Sequence, residues 1–581
     1  MANMNISKFL SRKCTLPIMI TLTISLFIGL AIPETILAEK RLPNSIKSQL
    51  GSYLAARQAQ FDSNPRIAIR YYLSALKGSP DNISLLQRVV TLLVSEGKIE
   101  EALPKAKQLL KLSPGASNIS SLILVLAEIK NQKFLKAFKN IEMLPEGGLN
   151  TYLLPMLKAW LLVAQNKNND ALKIIDQKTN TPGLETLFGV QGALISEFGG
   201  KNKDAITRYK TASALRKNPN LRATILLGNL YERLGKKKKA KSIYDDYKSQ
   251  YLTTTMLDIA YQRLKTGKKP GPNNRTILDG IAEALFSLGF SIQNQNSYQA
   301  ILFSRLAVYL RPSFSIAKLL LARSMEENNN LKDANVIYHN ISKDPNYSWA
   351  ARLRIADNLD RLDDTDDAIR KLQAMSIERN KRVDTLIKIG DILQGHKRYQ
   401  ASINAYEQAK KRIQTNNGQY WSLYFSLGIS YERIEKWAMA EKNLLEALRL
   451  RPNHPSILNY LGYSWVEQGL QLDRAQKMIR TAVKKRPRDG YIIDSLGWAL
   501  YRLGKIEEAV KQLERAVLIR PEDPTINDHL GDIYWAIGRK SEATFQWNRA
   551  LILEPEKDQI PKIKLKLKVG LPKDANKRRG I

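Results

Sequence analysis

The sequence predicts an all-α chain, an α-solenoid of stacked helical hairpins, and three observations carry that prediction. Pro452, Pro487, Pro521 and Pro555 are spaced by 35, 34 and 34 residues, and far upstream Pro80 and Pro114 are again 34 apart. Self-similarity at roughly 20–50 residues is the mark of a repeat architecture in which each unit buries its apolar face on the next. Between these prolines the same small and apolar residues return in the same places, and no stretch alternates apolar and polar residues for long enough to build a sheet.

In chain order, the first element is not a hairpin. Lys8, Arg12 and Lys13 precede an apolar run from Cys14 to Ile32, followed by Pro33 and a small-residue site at Ile36-Leu37-Ala38. That order of charge, apolar run and small residue is the pattern of an export signal, so residues 1–38 are expected to be removed and the mature chain to begin near Glu39. An uncleaved membrane anchor is the alternative, and either reading places the bulk of the chain outside the cytoplasm, in a periplasm or cell envelope. The single cysteine, Cys14, lies inside this segment, which leaves the remainder without disulfide or thiol chemistry.

Residues 45–262 follow as an array of divergent hairpins. Gly51 to Pro80, with Ala55, Ala68, Tyr72 and Ala75, forms a first unit, and Leu85 to Pro114, with Gly97, Ala102 and Ala106, a second. Residues 150–182 and 184–219 are further divergent pairs, before Leu227-Gly228, Tyr231, Gly235 and Ala240 restore the pattern. The run TGKKPGPNN, Thr266 to Asn274, breaks the register and marks a linker over 263–276. Middle units over 277–415 continue with Leu288-Gly289, Ala307, Leu321, Ala334, Gly390, Tyr406 and Ala409, up to a second break at Gln414–Gln419.

Four regular units occupy 417–556. The first carries Tyr424, Leu427, Gly428, Tyr431, Trp437, Ala440, Leu444, Ala447 and Pro452, and the second carries Leu461, Gly462, Trp465, Gly469, Ala475, Ala482 and Pro487 with one extra residue before Ala475. Leu496, Gly497, Leu500, Gly504, Ala509, Leu513, Ala516 and Pro521 define the third; Leu530, Gly531, Tyr534, Gly538, Ala543, Trp547, Ala550 and Pro555 define the fourth. A glycine inside a helix costs about 1 kcal/mol relative to alanine. Gly497 is expected to offset this as a notch that lets its helix approach the next one closely, with Ala509 as the facing small residue.

These residues closely resemble the signature of the tetratricopeptide repeat family. The resemblance implies a right-handed superhelix of hairpins, a protein-binding function without catalysis, and a concave groove lined by the first helix of each hairpin. Counting from each glycine, the inward set in the last four units begins with Phe425, Ile429, Glu432, Arg433, Asn459, Tyr463, Glu467 and Tyr491. It continues with Asp494, Trp498, Tyr501, Arg502, Asp528, Asp532 and Trp535. From it, Asn459, Tyr463, Asp494, Trp498, Tyr501, Arg502, Asp528, Asp532 and Trp535 are the expected partner-binding residues, a locally acidic groove suited to a neutral or basic protein segment. The competing reading of its aromatics is packing between repeats.

No catalytic or metal-binding constellation is expected, and no cofactor. The four histidines, His339, His396, His454 and His529, are widely spaced, and no HExxH or Cys/His cluster is present. GYSWV around Ser464 lacks the second glycine of a nucleophile elbow, and the Gly-Lys pairs at Gly200, Gly235, Gly267 and Gly504 lack the rest of a phosphate loop. Asp363-Asp364 and Asp366-Asp367 are read as solvated surface.

The formal net charge is +36, and removal of the amino-terminal segment, with its three cations and Glu34, would barely change it. Such charge fits contact with an anionic membrane or polysaccharide surface, or a lysine-rich vocabulary that merely solvates helices. Nucleic acid is not an expected partner of an exported chain. The leading expectation is therefore a cell-envelope scaffold or adaptor for proteins; the alternative is an accessory protein of polysaccharide or outer-membrane assembly. The tail, 557–581, has Ile560, Ile563, Leu567 and Leu571 at helical spacing while Lys562, Lys564, Lys566 and Lys568 alternate as in a strand; Pro561 near its start favours a basic capping helix for the array, with contact to an anionic membrane or polysaccharide as the alternative.

Overall fold

The computed structural model describes residues 48–571 except 63, 143, 215–219, 252–253, 342–343 and 414–417. The expected amino-terminal signal and the last ten residues thus lie outside the described residues. Among those described there are thirty α-helices and no strand. Most pair into hairpins in which a helix packs on its sequence neighbours. The all-α solenoid prediction holds. No described helix is long and apolar enough to cross a membrane.

The chain divides into two compact units, one ending at Ala368 and the other starting at Ile369. Unit 2 shows why the regular repeats read so clearly. The Gly490–Arg502 helix packs on Ile506–Ile519, and a Cβ at Gly497 would stand 2.6 Å from Leu513 Cγ, inside contact distance. Glycine is thus the residue that permits this approach, and Ala509, Leu513 and Ala516 are fully buried against it. The extra residue in the second regular unit is absorbed in its turn. Gly469 and Gln471 both take positive φ, 68° and 48°, and Ala475 returns fully buried to its place in the pattern.

In unit 1 six hairpins run from Gln49–Phe61 to Lys237–Gln250, including a pair not foreseen from sequence, Asn118–Lys130 with the eight-residue Phe134–Ile141. Beyond the lone helix Asp258–Thr266 the chain turns back. The Ile277–Ile292 helix lies against Asn150–Val163 and Glu185–Phe198, and Ser297–Leu310 lies against Ile83–Ser95 and Asn118–Lys130. All four are first helices of their hairpins, so the returning pair covers the face on which a groove was expected.

The cause is visible in composition. Ile277–Ile292 buries Gly280, Ile281, Ala282, Ala284, Leu285, Phe286, Leu288 and Gly289 around most of its girth, together with Glu283, whose carboxylate pairs with Arg222. A helix so largely apolar has to be enclosed. Gly280 stands where a Cβ would collide with the Trp160 ring, and that indole donates to Gln191 Oε1 at 3.0 Å. Gln191 Nε2 in turn donates to Ser287 Oγ of the returning helix at 3.3 Å.

Polar links fasten the second returning helix. Arg305 Nε donates to the Ser95 carbonyl at 2.9 Å, and Tyr309 donates to Glu100 at 3.0 Å while Lys130 Nζ sits 3.7 Å from its ring centre. Farther along, Arg66 pairs with Asp333 at 2.7 Å across 267 residues of sequence. The 263–276 segment therefore connects helices of one continuous core, which runs from Ala56 to Leu320. Its own Asn273 and Asn274 are buried.

Candidate functional site

The face of interest is built by the first helices of the last four hairpins of unit 2: Trp421–Glu432, Pro455–Glu467, Gly490–Arg502 and Pro524–Ala536. Consecutive helices of this series are joined by a ladder of side-chain bonds. Tyr460 donates to Glu432 at 3.0 Å, Asn459 Nδ2 to Ser495 Oγ at 3.1 Å, and His529 Nδ1 meets Asp494 Oδ1 at 2.9 Å. The last rung comes from the tail. Ile560–Val569 is a helix, the reading that Pro561 favours, with Ile563 buried and Lys566 Nζ 2.8 Å from Asp528 and 2.7 Å from Asp532.

The ladder changes the reading of the expected acidic groove. Asp494 and Asp532 are only 7% and 6% exposed, and each carboxylate already has partners within the chain. Asp532 also accepts from the indole of Trp547 at 2.9 Å. Burial, opposed by Lys566 and aided by Asp528, raises the Asp532 pKa to about 6. Burial works against the His529 cation, yet Asp494, with Asp528 and Asp532 beyond it, holds its pKa at about 9. His529 thus pairs with Asp494, and Lys566 is shared by Asp528 and Asp532, so all three aspartates are engaged in the packing of one repeat on the next.

The remaining expected residues separate into covered and accessible. Tyr501 is buried, 5.4 Å from the Trp498 ring. Trp535 lies 5.3 Å from Trp547, and Gly570, at the end of the tail helix, comes so close to it that no Cβ would fit. Asn459 is half-buried within the ladder. Trp498, Tyr463 and Arg502 are half-buried and adjoin exposed Glu467. Trp498 stacks on His529 with ring centres 4.3 Å apart and planes 18° from parallel, and its Nε1 donates to Glu467 at 2.5 Å. Arg502 lies 3.7 Å from the same carboxylate. Burial, with Glu467 and Asp494 nearby, pushes the Tyr463 hydroxyl well above its usual pKa, so it stays a neutral donor.

His529 and Lys566 were missed by counting within single repeats. The signal that would have found His529 is its offset of 35 from Asp494, one repeat length plus one, which places the two on successive first helices. Among the described residues no group of three or more His, Cys, Asp or Glu side chains could hold a metal ion.

Family models match inside both units: one described as TPR repeat over residues 497–538, which begins at the notch glycine, and one described as tetratricopeptide repeat over 223–251. The chain thus carries tetratricopeptide repeats in both segments. The TPR repeat-containing protein PA4667 of Pseudomonas aeruginosa is 32% identical over 106 residues, which are 18% of this chain and 18% of that protein. Among solved TPR structures, the Cut9 and Hcn1 hetero-tetramer of the APC/C resembles it with a TM-score of 0.38 and 14% identity, over 90% of this chain and 97% of that one. YrrB, described as a TPR protein with an unusual peptide-binding site, gives a TM-score of 0.27 and 18% identity over 33% of this chain and 97% of its own.

Proposed function

We propose that this TPR protein is a non-enzymatic scaffold of the bacterial cell envelope that holds a segment of a protein partner on the first-helix face of unit 2, with Trp498 as the anchor. Protein binding in general is what TPR arrays do; the envelope location rests on the export pattern of residues 1–38. The observation that carries the site is the state of Trp498. Its ring is fixed by His529 on one side and by Glu467 at its nitrogen, yet part of it stays accessible beside Tyr463 and Arg502. A pre-held aromatic surrounded by hydrogen-bonding groups is the composition of an interface hot spot, because little ordering entropy is lost on binding.

The partner chemistry differs from a basic segment drawn to three free aspartates. With those carboxylates engaged, the accessible groups are an indole, a phenol and a Glu–Arg pair, which suit an apolar side chain flanked by backbone or amide hydrogen bonds. Trp498→Ala should remove the proteins that crosslink to and co-purify with the wild-type chain, while circular dichroism stays unchanged. Recovery of the same proteins in the same yield would reject the site.

A further inference from the structure

Away from this face, one surface of unit 1 gathers positive charge without neutralising it. The turn into the Lys237–Gln250 helix carries Lys236, Lys237, Lys238 and Lys239, all exposed, and the segment after Asp258–Thr266 adds exposed Lys268 and Lys269 next to Lys265. The fold brings the two runs together. Arg233 Nη1 donates to the Gly271 carbonyl at 2.8 Å, and Lys237 Nζ stands 3.3 Å from where a Cβ on Gly267 would be.

Among the described residues none of these seven lysines forms an ion pair, whereas the surrounding acids are committed elsewhere. Glu232 is held by Arg263, Glu197 by Arg233, and Asp245 by Lys241. Four successive cations at a helix start also sit at the positive end of the helix dipole, where acids are favoured. Folding therefore gains nothing from them there. Two apolar side chains stand at the same edge: Leu234, 37% exposed, and Phe198, also 37% exposed, on adjoining turns tied by the Glu197–Arg233 pair.

We propose that this edge docks on the surface of an anionic lipid bilayer, the lysines meeting phospholipid headgroups and Leu234 and Phe198 entering the acyl boundary. Charge complementarity selects a polyanion. The apolar pair selects a bilayer among polyanions, because an anionic polysaccharide has no hydrocarbon interior to receive it. This surface is separate from the Trp498 face and stands or falls independently of it.

The test is co-sedimentation of the full chain with vesicles of phosphatidylglycerol and phosphatidylcholine, against vesicles of phosphatidylcholine alone. Replacing Lys236, Lys237, Lys238 and Lys239 together by Glu should lower affinity for the anionic vesicles at least about tenfold, with added salt reducing wild-type binding in the same way. The apolar amino-terminal run is common to both proteins and drops out of the comparison. Acids at a helix start support the helix, so a loss of binding with unchanged circular dichroism is a surface effect. Leu234→Ser should lower affinity about threefold or more with no change of charge. Equal binding by the four-lysine variant overturns the proposal. So does unchanged binding by Leu234→Ser combined with full competition by a soluble anionic polysaccharide, since that surface would be reading charge alone.

Discussion

In unit 1 the first helices of the hairpins are covered by the returning pair Ile277–Ile292 and Ser297–Leu310, whereas in unit 2 side-chain rungs join the last four first helices, the tail helix lies over the last of them, and Trp498 is left half-buried. Trp160 and Trp498 stand on equivalent faces and meet opposite surroundings. Trp160 is fully buried, bonded to Gln191, with the backbone of Gly280 against its ring. Trp498 has a histidine behind it and solvent in front. Equivalent faces of one repeat array are therefore closed by the chain itself in one unit and left partly accessible in the other.

The sharpest way to break that contrast is Trp160→Ala. Removing a fully buried indole whose surroundings cannot collapse should destabilise the protein by about 3–5 kcal/mol, read as a fall in the midpoint of denaturant unfolding. A loss below about 1 kcal/mol would mean that the returning helices are only loosely held, and the first-helix face of unit 1 would have to be counted as open.

Next in size is the tail rung. Lys566→Met leaves Asp528 and Asp532 buried side by side without their cation, and should cost about 3 kcal/mol, because breaking a buried pair is worse than never building it. Asn at both aspartates in the same protein should return most of the loss. These aspartates were expected as groove residues by counting along the first helices. What could not be read was that the next element of the array, a helix more than thirty residues away, would lie over them. The same limit hid the returning pair in unit 1. A 34-residue period specifies contacts between neighbours, and helix 277–292 touches helices several repeat lengths earlier, as in the Gln191–Ser287 bond across 96 residues. Its only local sign is apolarity around most of its girth. The regular units were legible because all of their contacts are local: notch glycine, facing alanine and turn recur at fixed offsets.

A smaller effect follows from His529. Its pKa is raised to about 9 in the fold from an ordinary value near 6.5. The stabilisation is therefore fully present below about pH 6.5 and is lost as pH rises through 9. Asp532, raised to about 6, finishes its own ionisation at the lower edge of this window, so the slope above about pH 7.5 belongs to His529. Unfolding midpoints between pH 6.5 and 9.5 should fall by an amount equivalent to roughly 1–3 kcal/mol. The fall should vanish in Asp494→Asn, whose side chain no longer favours the cation. An equal slope in that variant would show that another group controls the titration.

Trp498→Ala should have the smallest effect on stability, and for that reason it tests the comparison most directly. The ring is partly in solvent and its supports are one stacked imidazole, a cation–aromatic contact worth about 1 kcal/mol, and one exposed hydrogen bond to Glu467. The array buries Leu496, Leu500 and Leu513 in the same hairpin without its help. A loss of about 1 kcal/mol, set against 3–5 for Trp160→Ala, would place the two tryptophans in different roles despite their equivalent positions. If Trp498→Ala instead costs as much as Trp160→Ala, the indole belongs to the packing of unit 2, its face is as closed as that of unit 1, and the partner has to be sought on another surface.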